Sequence, residues 1–235
     1  MNLSPAVAVA SRPVEAFAGL LPPGVASEHL RGPGDPLLLL PAEWKALGKV
    51  TPERARQFAA GRVCARRAAA KLGVTELPIA VREDRRPHWP ESLVGSITHT
   101  DGFCAAAVGL RQRFVAIGID AERLGAVTPD IWGKVLSPEE ERTVKAVRPA
   151  FRDSLATLIF STKEAFYKCQ YQVTGQWLEF RDVAVDFLGR NVGVESCSIR
   201  PLRSVQLFEK GGRPAIVRFT ITRGIVLSAM TITAH

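Results

Sequence analysis

Long apolar runs are missing from this chain. The longest aliphatic stretch is Leu37–Leu40, far short of the ~20 residues that a membrane-spanning helix needs. The opening stretch, MNLSPAVAVASRPVEAF, is apolar but lacks a basic start, and Pro5 and Pro13 bracket its AVAVA run, so no secretory leader is expected. Cysteine is scarce. Cys64, Cys104, Cys169 and Cys197 form no CxxC and join no His spacing that would complete a zinc pattern. A disulfide framework is therefore not expected, and a reducing cytoplasm is. Aromatic residues make up only 7% and do not cluster into a stacking platform, and no RRM, KH, zinc-finger or helix-turn-helix pattern is present. Both absences count against a nucleic-acid-binding module. Glycine and proline, 19 and 16, follow no period, which excludes a collagen-like chain.

What is present is an ordinary globular composition. The 235 residues are 46% hydrophobic and 23% charged, enough to bury a core as one large domain or two small ones. The net charge is +8, which suggests an anionic partner. The excess is local: residues 49–86 hold ten basic side chains against four acidic ones.

Thr51-Pro52 is an N-cap followed by a first-turn proline, and an Ala/Arg/Gln-rich helix runs from there to about Leu72, with Gly73 as its stop. Before it, short strands are expected around Leu37–Leu40 and a helical turn at Glu43–Leu47. LVGSITHT, FCAAAVGL and RFVAIGIDAE read as strands, the last two as a hairpin. Ser137-Pro138-Glu139-Glu140 is a capping box opening a helix to about Val147. A second helix covers about Phe151 to Cys169. VAVDF, AIVRFTIT and GIVLSAMTIT are strands, the last pair turning at Arg223-Gly224. The predicted class is α+β, pseudo-duplicated, with two similar helix-plus-antiparallel-sheet halves, 1–117 and 118–235.

Four local patterns carry chemistry, each with an ordinary alternative. Arg62 and Arg66 share a helical face, with Arg54 two turns earlier; guanidinium clusters suit phosphate, or form a solvated face. Asp120 and Glu122 alternate onto one side of a strand; paired carboxylates repel unless a cation such as Mg²⁺ sits between them, or they are two solvated acids. Glu164 and Lys168 stand at i and i+4, a functional pair or an ordinary surface pair of about 0.3 kcal/mol. His99, in GSITHT, is a phosphate donor or a structural histidine.

The order of these blocks is specific. QFAAGRVCARRA, RRPHWP, GSITHT, GIDAE and FSTKEAFYK, followed by WLEF and Asp182, resemble the 4′-phosphopantetheinyl transferases, in particular the larger class serving siderophore, polyketide and nonribosomal-peptide carriers. The matching blocks span about residues 54–182. The resemblance implies a monomeric enzyme with coenzyme A between two α+β halves. It implies Mg²⁺ held by Asp120, Glu122 and Glu164, and coenzyme A phosphates contacted by Thr98, His99, Lys168, Arg54, Arg62 and one of Arg85 or Arg86. It further implies transfer of 4′-phosphopantetheine to a serine of an apo acyl or peptidyl carrier protein, releasing 3′,5′-ADP, with Glu164 or Glu122 as base. Two arginines stand where the family often has a glycine before Pro87. A magnesium-dependent nuclease, which also combines carboxylates with bases, is the rival that chemistry alone leaves open.

Overall fold

A computed structural model describes residues 16–75, 78–191, 194–209 and 214–234; the apolar opening stretch up to Glu15 lies outside them. Each half of the chain is a long helix laid on an antiparallel sheet, as the sequence predicts. In the first half, strands β1 (Val25–Arg31), β4 (Leu93–Thr100) and β5 (Phe103–Leu110) form a sheet in the order β1-β5-β4. Two short strands, β2 (Ala80–Val81) and β3 (Pro87–His88), make a separate ribbon. In the second half the order is β6-β10-β9-β8-β7, from β6 (Phe114–Arg123), β7 (Val183–Asn191), β8 (Val194–Pro201), β9 (Ala215–Thr222) and β10 (Ile225–Thr233).

Helix α1 (Pro41–Leu47) precedes α2 (Pro52–Ala70), whose Thr51 cap accepts the Arg54 amide. The buried face of α2 consists largely of alanines, and it meets Ala106 and Val108 of β5. Small residues on both surfaces let the helix axis sit close to the sheet. The predicted strand at Leu37–Leu40 is instead a single 3-10 turn over Pro36–Leu38, because Asp35 accepts the Leu37 amide at 2.9 Å and fixes a local turn.

Helices α3 (Pro129–Val135), α4 (Pro138–Ala146) and α5 (Pro149–Thr174) follow. The capping box at Ser137 forms as expected, but its glutamate does more. Glu140 accepts the Ser137 amide at 2.7 Å, the Val185 amide at 2.9 Å and the Lys163 ammonium at 2.6 Å. Lys163 also donates to the carbonyls of Val135 at 3.0 Å and Phe180 at 2.8 Å. This buried ion pair therefore has its hydrogen bonds satisfied, the condition under which such a pair is tolerated. It ties the ends of α3 and the 176–182 segment to α5.

The predicted hairpin between FCAAAVGL and RFVAIGIDAE does not form. Strand β5 is central in its sheet, with β1 and β4 on its two edges, so β6 has no free edge to join. The chain instead crosses into the second sheet, where β6 pairs with β10. Strands β4 and β6 still run side by side at the seam between halves, joined by side chains. Ser96 Oγ accepts the Ile119 amide at 3.1 Å, and Thr98 Oγ1 accepts the Ala121 amide at 3.0 Å. The Arg223–Gly224 hairpin is as predicted, with both residues at positive φ (48° and 73°), the geometry of a type I′ turn.

Strand β6 lies very close to α5. A Cβ on Gly118 would overlap the Ala165 carbonyl oxygen and lie 2.7 Å from the Cys169 nitrogen. Gln172 reinforces the contact by donating to the Ile117 carbonyl at 2.6 Å. Gly118→Ala is expected to destabilise the protein by at least the ~1–3 kcal/mol typical of overpacking, because the obstructing atoms are backbone. Gly133→Ala, in α3 with open space around it, should stabilise by about 0.5–1 kcal/mol. Chemical denaturation of the two variants checks both signs; equal stabilities would refute the close-approach argument.

Candidate active site

The reactive groups gather where β6 passes beneath α5. Period-two alternation sends Gly118, Asp120 and Glu122 to the α5 side and Ile117, Ile119 and Ala121 into the core on the other side. On α5, residues 161, 165, 168 and 172 form the stripe that meets β6 and β10: Ser161 Oγ donates to Ser228 Oγ at 3.0 Å, opposite Asp120 in register. Lys168 reaches across to Asp120 Oδ1 at 2.6 Å, with Glu164 Oε2 3.5 Å from the same ammonium. The Glu164–Lys168 pair is thus not an ordinary surface pair: Lys168 is shared with a carboxylate that is only 2% exposed.

The electrostatics follow from burial. Loss of solvent, then repulsion from Asp120 and Glu164, pushes the Glu122 carboxyl up from its ordinary 4.5 to about 7, against the pull of Lys168. Burial likewise raises Glu164, with Lys168 opposing it and Asp120 adding to it. Burial works against the Lys168 ammonium, but Asp120 and Glu164 outweigh it and hold its pKa above the usual lysine value. One oxygen, Asp120 Oδ2, is buried with no hydrogen-bond partner.

That orphaned oxygen tests the fit of a divalent cation. Among the described residues, no three His, Cys, Asp or Glu side chains stand close enough together to form a finished metal cage; Lys168 occupies the space between Asp120 and Glu164. The donor set is nonetheless all carboxylate, its members lie near enough to repel one another, and its most buried member presents an unpartnered oxygen. These features suit a hard, oxygen-seeking ion.

The cationic residues divide. Arg54 Nη1 lies 3.2 Å from His99 Nε2; a guanidinium only donates, so His99 is the neutral tautomer protonated on Nδ1. Loss of solvent, together with Arg54 and Lys168, keeps its pKa below the usual histidine value. Arg54, Arg62, Arg85 and His99 line one cavity of about 210 Å³. Arg62 is buried there, its Nε donating to the Ile79 carbonyl at 2.6 Å and its guanidinium 4.1 Å from the Phe58 ring centroid. Desolvation lowers its pKa to about 10. Arg66 turns away to Glu43 and the Leu38 carbonyl.

Arg85 and Arg86 are distinguished by the loop that carries them. Arg85 sits at φ 68°, the left-handed conformation that glycine would adopt without cost. It borders both the 210 Å³ cavity and a larger one of about 530 Å³. Arg86 lines the larger cavity too, but its side chain is already partnered there: its Nε donates to Asp84 at 2.7 Å and its guanidinium lies 4.6 Å from the Tyr171 ring centroid, on α5. Thr98, expected at coenzyme A, is 2% exposed and donates to Asp120 Oδ1 at 3.2 Å.

The motif reading did not single out the aromatic wall. Tyr167 stacks on Tyr171 and meets Trp177 edge-on, each at 5.6 Å between centroids. Tyr167 and Trp177 border both the 530 Å³ cavity, which Lys168 also lines, and a third cavity of about 220 Å³ lined by Glu164, Phe166 and Leu178. The i, i+4 spacing of Tyr167 and Tyr171, flanking Lys168, was the available signal. The central volume falls within the ~300–1,000 Å³ of small-molecule sites.

Sequence comparison places these features among known proteins. Residues 42–109 match the family described as the 4′-phosphopantetheinyl transferase N-terminal domain, and residues 116–217 match the 4′-phosphopantetheinyl transferase superfamily. The chain is 39% identical over 170 residues to the 4′-phosphopantetheinyl transferase Npt of Nocardia iowensis, covering 72% of this chain and 75% of that one. It is 30% identical over 196 residues to PptT of Mycobacterium tuberculosis, covering 82% and 86%. Enterobactin synthase component D of Escherichia coli is 32% identical over 151 residues, covering 63% and 70%.

The raised Glu122 carboxyl makes stability depend on pH. Between 4.5 and about 7 the folded chain keeps a proton on Glu122 that the unfolded chain has released. The native state therefore binds more protons, and stability from this group falls as pH rises through that window. In chelator-treated protein, Glu122→Gln should match wild type near pH 4 and exceed it in stability above pH 7. Urea midpoints across pH 4–8 check this; a variant with the wild-type profile would refute the electrostatic account.

Proposed function

The chain belongs to the 4′-phosphopantetheinyl transferase superfamily, and from that premise we propose that it moves 4′-phosphopantetheine from coenzyme A to a serine of an apo acyl or peptidyl carrier protein, in a Mg²⁺-dependent reaction that releases 3′,5′-ADP. The observation that carries this reading is the clustering of Asp120, Glu122, Glu164 and Lys168 next to cavities lined by arginines and a histidine.

In this reading the halves divide the work, with the boundary at 117/118, inside β6. Residues 1–117 supply the cations. Arg54, Arg62 and Arg85 receive the 3′-phosphate end of the nucleotide, and His99 with Lys168 lies along the pyrophosphate. Residues 118–235 supply the carboxylates. The pantetheine arm runs past Tyr167 toward the apolar cavity beside Glu164. Asp120, Glu122 and Glu164 would hold the magnesium ion, which when bound would offset pyrophosphate charge.

The chemistry left to the side chains is positioning and proton transfer. The serine oxygen bonds to the pantetheine-bearing phosphorus, and the bond from that phosphorus to the bridging oxygen of the nucleotide breaks. The serine proton passes to a carboxylate. Glu164, on a rigid helix and raised by burial, has a base's placement; Glu122, raised to about 7, meets the same requirement and is the alternative. Lys168 and the arginines offset the charge that builds on the departing 3′,5′-ADP. A +8 surface steers an acidic carrier protein. Action in a reducing cytoplasm fits four buried free thiols, and no described helix is long and apolar enough to cross a membrane.

Glu164→Gln should lower transfer to an apo carrier by about 10²–10⁴-fold, Lys168→Ala should also be severe, and excess EDTA should abolish transfer. The mass of the carrier after incubation with coenzyme A is the readout. Near-wild-type modification by Glu164→Gln with saturating Mg²⁺ would remove Glu164 from the mechanism.

Arg54 tests the nucleotide end better than Arg62, whose burial mixes binding with folding. Arg54→Ala should raise KM for coenzyme A more than it lowers kcat, and should matter little with dephospho-coenzyme A. Equal effects on both substrates would place the 3′-phosphate elsewhere.

A further inference from the structure

Thr98 sits at the seam between the two halves, and its hydroxyl has a single proton to give. Oγ1 accepts the Ala121 amide at 3.0 Å through one of its two lone pairs and gives its one proton to Asp120 Oδ1 at 3.2 Å. Lys168 donates to that same oxygen at 2.6 Å. Two donors thus converge on Oδ1 while Oδ2 of the same carboxylate is buried and unpartnered. A carboxylate rotates freely enough to share its donors between both oxygens; here it is held with one oxygen saturated and the other bare.

We propose that the Thr98 hydroxyl is a positioning group that orients Asp120, so that Oδ2 is the oxygen presented to the divalent cation. The inference rests on the reading of Asp120 as a metal ligand. Ser96, two residues earlier, supplies an internal control. It makes the same strand-to-strand bond, accepting the Ile119 amide at 3.1 Å, but touches no carboxylate. Ser96 and Thr98 together carry the register between β4 and β6, where no backbone ladder does. Only Thr98 adds a bond to the reactive cluster. Groups that hold a ligating carboxylate or imidazole typically change metal affinity by about 10–100-fold when removed.

The test uses the full chain and four variants, Thr98→Val, Thr98→Ala, Thr98→Ser and Ser96→Ala. Mn²⁺ binding is followed by electron paramagnetic resonance without coenzyme A, beside melting curves and the Mg²⁺ and coenzyme A dependence of transfer. Thr98→Val should weaken Mn²⁺ binding by about 10-fold or more and raise the Mg²⁺ needed for half-maximal transfer, with KM for coenzyme A little changed at saturating metal. Thr98→Ala carries the same expectation if the valine variant does not fold. Thr98→Ser, which keeps the hydroxyl, should bind Mn²⁺ nearly as wild type does. Ser96→Ala should melt lower yet bind Mn²⁺ normally.

Wild-type Mn²⁺ affinity in both Thr98→Val and Thr98→Ala, or a rise confined to KM for coenzyme A, would overturn the inference alone. So would a Ser96→Ala variant that loses as much Mn²⁺ affinity as Thr98→Val, since seam integrity would then be the cause. Wild-type protein that binds no Mn²⁺ would overturn both the inference and the metal reading beneath it.

Discussion

The approach of β6 to α5 at Gly118 is the constraint on which the site depends. Without a side chain at 118, strand and helix meet backbone to backbone, and one alternation later Asp120 faces the helix one turn beyond Glu164. Like charges about 4 Å apart repel by ~4 kcal/mol at an effective dielectric near 20, so carboxylates brought together this way need a cation. Lys168 is that cation in the protein alone, bonded to Asp120 and near Glu164. Glu122, which lacks such a bond, responds by holding its proton to about pH 7. The geometry that makes the cluster unfavourable in isolation is what gives it affinity for a further positive charge.

Much of this was legible because it rests on short-range periodicity. Alternation along GIDAE put Asp120 and Glu122 on one side, and i, i+4 spacing put Glu164 beside Lys168. The caps at Thr51 and Ser137 were written in single residues and formed as read. What failed were pairings decided at a distance. The few residues between FCAAAVGL and RFVAIGIDAE look like a hairpin turn, but β5 has both edges occupied by β1 and β4. One of those partners, β1 (VASEHLR), mixes polar and apolar residues too evenly to announce itself. Strand β8 (VESCSIRP) was missed for the same reason: amid its polar residues only Cys197 and Ile199 join the core.

Charge was legible in amount but not in direction. Ten cations between residues 49 and 86 forecast an anionic ligand, yet the count could not tell which guanidinium would face it. Arg66 is held by Glu43, Arg86 by Asp84 and the face of Tyr171, and Arg62 by the Ile79 carbonyl and Phe58. Apart from Phe58, one helical turn before Arg62 on α2, each of those partners is distant in sequence or lies inside a loop whose conformation local propensity does not fix. Arg85 shows the reverse case. Its left-handed backbone is a position where a glycine fits easily, and an arginine there holds its side chain between two cavities at the expense of some backbone strain.

The two halves are alike in architecture but place their functional charge differently, and their seam is where this difference acts. The first half contributes the cations of the 49–86 segment, and the second contributes the carboxylates of the reactive cluster, Asp120, Glu122 and Glu164. Backbone pairing across such a boundary would place only amides and carbonyls there. Replacing a ladder by the hydroxyls of Ser96 and Thr98 keeps the amides of Ile119 and Ala121 satisfied and leaves a hydroxyl proton over. At Thr98 that proton falls on Asp120. The bond that joins the halves and the bond that orients the Asp120 carboxylate are therefore made by one oxygen atom, so a displacement between the halves would reach the reactive cluster directly.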